Sequence, residues 1–168
     1  SGGGVYLQAG KVANCTLSEN TSVYDLNWDR GGGGIYIRGV CQNSDIKGNR
    51  AGCGGGVYMN GTTAYAINCL IRDNVSLSIW WGCGGGGAFT RAGTLYLNNC
   101  TVVSNYSVGR GGGLNAYYAI VVENSIIYFN TSETVNSNYY FQGAGCALTN
   151  SCFTPDVSGA VAANSTNN

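Results

Sequence analysis

Two short motifs alternate in phase along this chain, and the alternation restricts its fold more than any other feature. The first is a glycine triplet that opens an alternating apolar segment. It reads Gly2-Gly-Gly-Val-Tyr-Leu7, Gly32-Gly-Gly-Ile-Tyr-Ile37, Gly54-Gly-Gly-Val-Tyr-Met59, Gly85-Gly-Gly-Ala-Phe-Thr90 and Gly111-Gly-Gly-Leu-Asn-Ala116. The second is Asn, then Cys or Ser, any residue, an apolar residue, two variable residues, and Asn. It runs Asn14–Asn20, Asn43–Asn49, Asn68–Asn74, Asn99–Asn105 and Asn124–Asn130, with a degenerate copy at Asn150–Asp156. Successive triplets end at Gly4, Gly34, Gly56, Gly87 and Gly113, so the interval varies while the order of motifs does not.

The apolar runs are three to five residues long, alternate in polarity and are rich in Val, Ile and Tyr, which is strand chemistry. Three units carry a further run between the motifs, at Tyr65–Ile67, Leu95–Leu97 and Ala119–Val122. Strands this short cannot build a core within one unit. They can if each unit is one coil of a solenoid whose like strands stack in parallel. Leu17, Ile46, Ile71, Val102, Ile127 and Phe153 then form one inward column, and Cys15, Ser44, Cys69, Cys100, Ser125 and Ser151 a second column of small residues on the same face.

The expected fold is therefore all-β: a single-stranded, right-handed parallel β-helix of five to six coils and a single domain over residues 1–168. Its coils are expected at about 1–30, 31–53, 54–83, 84–110 and 111–145, with a degenerate last coil at 146–168. The chain is expected to be a processed form or a fragment of a longer one, because it lacks an initiating Met and a signal-peptide pattern.

The Gly-Gly-apolar-apolar and apolar-x-x-Asn pairing resembles the repeats of polymorphic outer-membrane proteins and autotransporter passengers. It is carried by Gly3-Gly4-Val5-Tyr6 with Leu17-x-x-Asn20, and again by Gly55-Gly56-Val57-Tyr58 with Ile71-x-x-Asn74. The resemblance implies a secreted or surface-exposed β-helix with an adhesive role. In this chain Leu, Ile or Val takes the place of the family's Phe, except in the last copy.

Composition excludes several functions. Eight basic and eight acidic residues give a formal net charge of zero, which does not suit nucleic acid. No run of 18 apolar residues exists, so no transmembrane helix is expected. No triplet leads into Lys-Ser/Thr and a helix, so the glycines do not read as a phosphate loop. There is no His, and no two Cys are separated by two residues, so no metal site is assigned; no catalytic residue or cofactor is assigned either.

The eight cysteines fit an oxidising, extracellular or cell-surface compartment. The coil alignment pairs Cys53 with Cys83 and Cys69 with Cys100. Cys146 lies close to Cys152 in sequence, and Cys15 and Cys41 remain. Eight sequons occur, at Asn14, Asn20, Asn60, Asn74, Asn99, Asn105, Asn130 and Asn164, four of them in the second Asn column. They are candidate glycosylation sites, while the Asn column itself can form a hydrogen-bonded ladder. Trp80, Trp81, Tyr139, Tyr140 and Phe141 lie where variable arms are expected and are candidates for sugar stacking or an interface.

The leading expectation is a non-enzymatic extracellular structural or adhesive solenoid whose partners are further copies of itself, end to end or laterally, or surface glycans. The alternative is a carbohydrate-binding or pectate-lyase-like β-helix. Its candidate groups are Arg72 and Asp73, with Glu19 two coils away from Asp73 in the same column.

Overall fold

The computed structural model describes residues 2–22, 31–80, 82–134 and 137–153. It is a parallel β-solenoid of stacked coils with no helix among the described residues. The coils build three sheets that run along the rod, and the second to fifth coils contribute strands to all three.

The first sheet is led by Val5–Leu7, Ile35–Ile37, Val57–Ile67, Ala88–Asn98, Leu114–Ala116 and Tyr139–Phe141, paired in parallel and in that order. Its trailing half is formed by Lys11–Ala13, Val40–Gln42, Ala119–Glu123 and Ala147–Thr149, together with the second halves of the two long strands. The second sheet stacks Thr16–Ser18, Asp45–Lys47, Leu70–Arg72, Thr101–Val103, Ile126–Tyr128 and Cys152–Phe153. The third is the two-residue set Arg50–Ala51, Val75–Ser76, Tyr106–Ser107 and Thr131–Ser132.

Inward residues stack in register. Leu17, Ile46, Ile71, Val102 and Ile127 are Cα partners down the second sheet and are buried; Phe153 ends the column half-buried. From the first sheet Ile35, Val57, Ala88, Leu114 and Tyr139 close the core opposite them.

Two columns of left-handed backbone flank the strands of the second sheet, one before all six and one after the first five. Asn14, Asn43, Asn68, Asn99, Asn124 and Asn150 form one, with φ between 48° and 57°. Glu19, Gly48, Asp73, Ser104 and Phe129 form the other. Asn tolerates this region and a second-motif Asn occupies every copy of the first column. The second column accepts five different residues, so tertiary packing holds it there.

Each glycine of a triplet has its own task. Gly54 opens the third triplet with φ +60°, a left-handed position. A Cβ on Gly55 would lie 2.5 Å from Val75 O and 2.6 Å from Gly86 O, because the triplet passes directly over the third sheet. A Cβ on Gly56 would lie 2.7 Å from Gly87 O and 2.9 Å from Asn74 Nδ2, so this glycine makes room for the second motif.

The sixth coil opens earlier than its expected start at 146. Tyr139–Phe141 pair with Leu114–Ala116 as the next leading strand, although no glycine triplet precedes them. Ser137 and Asn138 stand in its place: Gly113 N donates to Ser137 O and Leu114 N to Asn138 O.

Candidate functional site

The second-motif Asn side chains form a buried ladder. Asn49 Nδ2 donates to Asn74 Oδ1 at 2.9 Å, Asn74 Nδ2 to Asn105 Oδ1 at 3.0 Å, and Asn105 Nδ2 to Asn130 Oδ1 at 2.9 Å. The same carbonyl oxygens accept the backbone N–H of the preceding rung, and each of these amides also donates to a backbone carbonyl of the second sheet one coil back, such as Asn105 Nδ2 to Ile71 O at 2.9 Å. Asn20 begins the ladder on Asn49, and Asn138 ends it by accepting from Asn130.

This arrangement bears directly on the sequons. Asn74, Asn105 and Asn130 are buried, and their Nδ2 atoms, the atoms a glycan would use, are committed to the ladder. Asn20 is half-buried in the same ladder. These four are structural rungs, and a glycan on the buried Asn74, Asn105 or Asn130 is incompatible with the folded coil. Asn14 and Asn99 lie in the outer left-handed column and are exposed; Asn60 is half-buried in a strand. Asn164 lies outside the described residues.

The outward residues of the leading strands form an aromatic column: Tyr6, Tyr36, Tyr58 and Phe89 are in register, with ring centroids 4.6, 5.5 and 5.6 Å apart. Outward alternation predicts exposure, yet Tyr36, Tyr58 and Phe89 are buried. Cys53 and Cys83 pack against them and join in a disulfide with Cα atoms 5.2 Å apart, making a small second core. Asn115 interrupts the column and donates to Cys83 O at 3.0 Å. Tyr140 follows, with the Arg110 guanidinium 4.6 Å above its ring.

Of the arm residues, Trp80 is exposed beside Ile79, whereas Trp81 lies outside the described residues. Tyr139, Tyr140 and Phe141 are not arm residues at all. Tyr139 is a core residue, Tyr140 continues the outward column and Phe141 packs half-buried against the core. Strand alternation sends Tyr139 inward and withdraws it from any sugar-stacking role.

Outside the Cys53–Cys83 bond the other six cysteines are free thiols. Cys146 is buried and its Sγ faces Tyr118 O, while Cys152 occupies an outward, exposed position beside Ile126, so they do not bond. Cys15 stacks on Ser44, and Cys41 faces Cys69 from the neighbouring strand; their Sγ atoms are 4.0 Å apart. Cys69 and Cys100 occupy equivalent positions on successive coils, with Thr101 N donating to Cys69 O, and remain thiols. Hydrogen bonds from Cys100 and Cys41 lower the Cys69 pKa, and those same contacts, with burial, raise the other two.

The outer face of the second sheet changes character along the rod. In the early coils it carries Asp45, Lys47, Arg72 and Asp73; in the later coils it carries Val103, Ile126, Tyr128 and Phe129. Arg72 bridges two carboxylates, with Asp45 and Asp73 each 3.0 Å away. Asp45 foremost raises the Arg72 pKa, which opposes its use as a base. Glu19 and Asp73 are left-handed turn residues. Among the described residues no group of three or more His, Cys, Asp or Glu is set to hold a metal ion, and no helix is long and apolar enough to cross a membrane.

At the first coil, Val5–Leu7, Lys11–Ala13 and Thr16–Ser18 each have one strand partner among the described residues. Val5, Leu7 and Val12 pack against the core below but are only half-buried. Sequence reasoning did not single out three further features: the stacked pair Tyr65 and Tyr96, 5.1 Å apart on the outward face of the long strands, the exposed Tyr117 and Tyr118, and the place of Cys41 beside Cys69. Alternation around Tyr65 and Tyr96 carried the first signal; the other two depend on where the chain bends.

No family model, no curated protein and no solved structure matches this chain.

Proposed function

We propose that this protein is an extracellular or cell-surface structural solenoid that extends end to end, with its outer faces available for adhesion. The observation that carries the reading is the stack itself: like strands of successive coils pair in parallel and in one register, and their inward residues form continuous apolar columns. The same register lets a coil of a second copy continue both the strands and the columns. A head-to-tail contact of this kind does not close on itself and yields an open fibre.

Two features support the setting. The Cys53–Cys83 bond suits an oxidising compartment. The repeat chemistry is of the kind found in polymorphic outer-membrane proteins and autotransporter passengers, which extends the proposal to a surface-displayed adhesive rod.

Electron microscopy and light scattering test it on the purified full chain. Wild type is expected to form rods longer than one subunit, whose single-copy height is roughly 25–30 Å at ~4.8 Å per coil. Val5→Lys, which sets a charge in the apolar column at the first coil, is expected to leave 17.4 kDa monomers. A wild type that stays monodisperse at that mass at all concentrations overturns the filament.

A further inference from the structure

The core holds three thiols in one continuous row. Cys41 lies on the trailing strand of the second coil, Cys69 at the turn into the second sheet of the third coil, and Cys100 at the equivalent turn of the fourth. All three are buried. Cys69 is the middle member. Its Sγ is 4.0 Å from Cys41 Sγ and 3.5 Å from Cys41 O, while Cys100, at the equivalent position one coil on, points its Sγ at Ala66 O, 3.3 Å away. Cys69 and Cys100 are in-register neighbours on adjacent coils, where the strand spacing of about 4.8 Å falls inside the Cα range a disulfide spans. Cys146 is not part of the row, since its Sγ faces Tyr118 O.

Three thiols exceed by one what a single disulfide uses, and only the middle one has two neighbours. We propose that Cys69 is the shared member of two alternative disulfides, Cys41–Cys69 and Cys69–Cys100, which interchange within the core as a movable rung joining the third coil to the second or to the fourth. The rung forms during folding, while the coils are still open. A glutathione disulfide is reduced to two thiols as two protein thiols are oxidised to one S–S bond, so the two electrons and two protons balance. Interchange needs no further oxidant. The Cys100 sulfur attacks Cys69 Sγ as its proton passes to the departing Cys41 sulfur, so the Cys41–Cys69 bond breaks, the Cys69–Cys100 bond forms and Cys41 ends as a neutral thiol. The reverse step restores the first linkage. A row sealed from solvent keeps the third thiol from outside thiols and disulfides, so the exchange stays internal.

The arrangement also separates this row from Cys53–Cys83. That bond lies in the second core, on the other side of the first sheet, and shares no partner with Cys41, Cys69 or Cys100.

The full chain, reduced and denatured, is refolded in glutathione disulfide, quenched in acid, alkylated in denaturant and digested without reduction for mass spectrometry. The expected map contains both Cys41–Cys69 and Cys69–Cys100 peptides, with Cys41 and Cys100 each also found partly alkylated. Cys41→Ser is expected to leave only Cys69–Cys100, and Cys100→Ser only Cys41–Cys69. If either variant fails to fold, the wild-type map decides alone. Recovery of Cys69 wholly as an alkylated thiol, a single linkage in wild type, or a Cys41–Cys100 bond overturns the proposal.

Discussion

Gly56 and Asn74 occupy one space. A Cβ on Gly56 would stand 2.9 Å from the Asn74 side-chain nitrogen, closer than ordinary packing allows. The same holds for Gly34 with Asn49 at 3.0 Å, Gly87 with Asn105 at 3.0 Å and Gly113 with Asn130 at 2.8 Å. The two sequence motifs stay in phase because the last glycine of one is the seat of the last Asn of the other.

That relationship makes the triplet positions unequal. Gly55→Ala drives a methyl into backbone oxygens on both sides and is expected to destabilise the protein by roughly 3 kcal/mol or more. Gly10→Ala meets nothing within 4 Å and carries only the strain of φ +85°, an expected loss of about 1 kcal/mol. Urea unfolding of the two variants checks the order.

Removing a rung strands its neighbours. In Asn105→Ala the Asn74 backbone N–H and Nδ2 lose their shared acceptor, and Ile71 O loses a donor. At ~1–3 kcal/mol for each buried group left unsatisfied, a loss of about 3–5 kcal/mol is expected, again read by urea unfolding. A loss under about 1 kcal/mol would show that the ladder is not a main support of the coil.

Breaking the covalent link should act on the second core. Cys53 and Cys83 are 30 residues apart, and closing such a loop contributes about 3–4 kcal/mol in the chain-entropy account. Cys53→Ser/Cys83→Ser is expected to lower stability by that order and to weaken the near-ultraviolet dichroism of Tyr36, Tyr58 and Phe89, against which the bonded cysteines pack.

One left-handed position is open to improvement. Ser104 has φ 56° and is exposed, while its counterpart two coils earlier in the rod is Gly48. Ser104→Gly is expected to stabilise by about 0.5–1 kcal/mol, because the backbone strain it relieves outweighs the added freedom of the unfolded chain. A lower unfolding midpoint would refute this.

Expression through a secretory pathway that attaches N-glycans separates the sequons. Folded, secreted protein is expected to carry glycan at Asn14 and Asn99 and none at Asn74, Asn105 or Asn130, whose amides are consumed by the ladder. Peptide mapping of the secreted fraction gives the result directly, and folded material glycosylated at Asn105 would contradict the buried ladder.

The second sheet and its inward column were legible residue by residue, because the second motif repeats at one length and puts its apolar residue at one place. The trailing strands of the first, second and last coils were not. Lys11-Val-Ala, Val40-Cys-Gln and Ala147-Leu-Thr are too short and mixed to stand out, and they are strands only because the neighbouring coil templates them. The start of the sixth coil was hidden by Asn138, which supplies the last ladder acceptor from a different place in the chain than the motif does. Four sequons coincide with the ladder for a physical reason: a rung Asn followed two residues on by a Ser at the third sheet spells the same three letters as a glycan acceptor. The thiol row depends on side chains from two different sheets meeting inside the coil, which one-dimensional alignment does not display.

The Cys53–Cys83 link also has a mechanical meaning. A solenoid held by its ends and pulled yields by peeling coils from its termini, each coil releasing its own contour length. The bond closes residues 53 to 83 into a loop that tension cannot open, so about 100 Å of chain, at ~3.3–3.6 Å per residue, never contributes to the extension. Under load the middle of this rod is shorter than its sequence, and reduction is the only event that lengthens it.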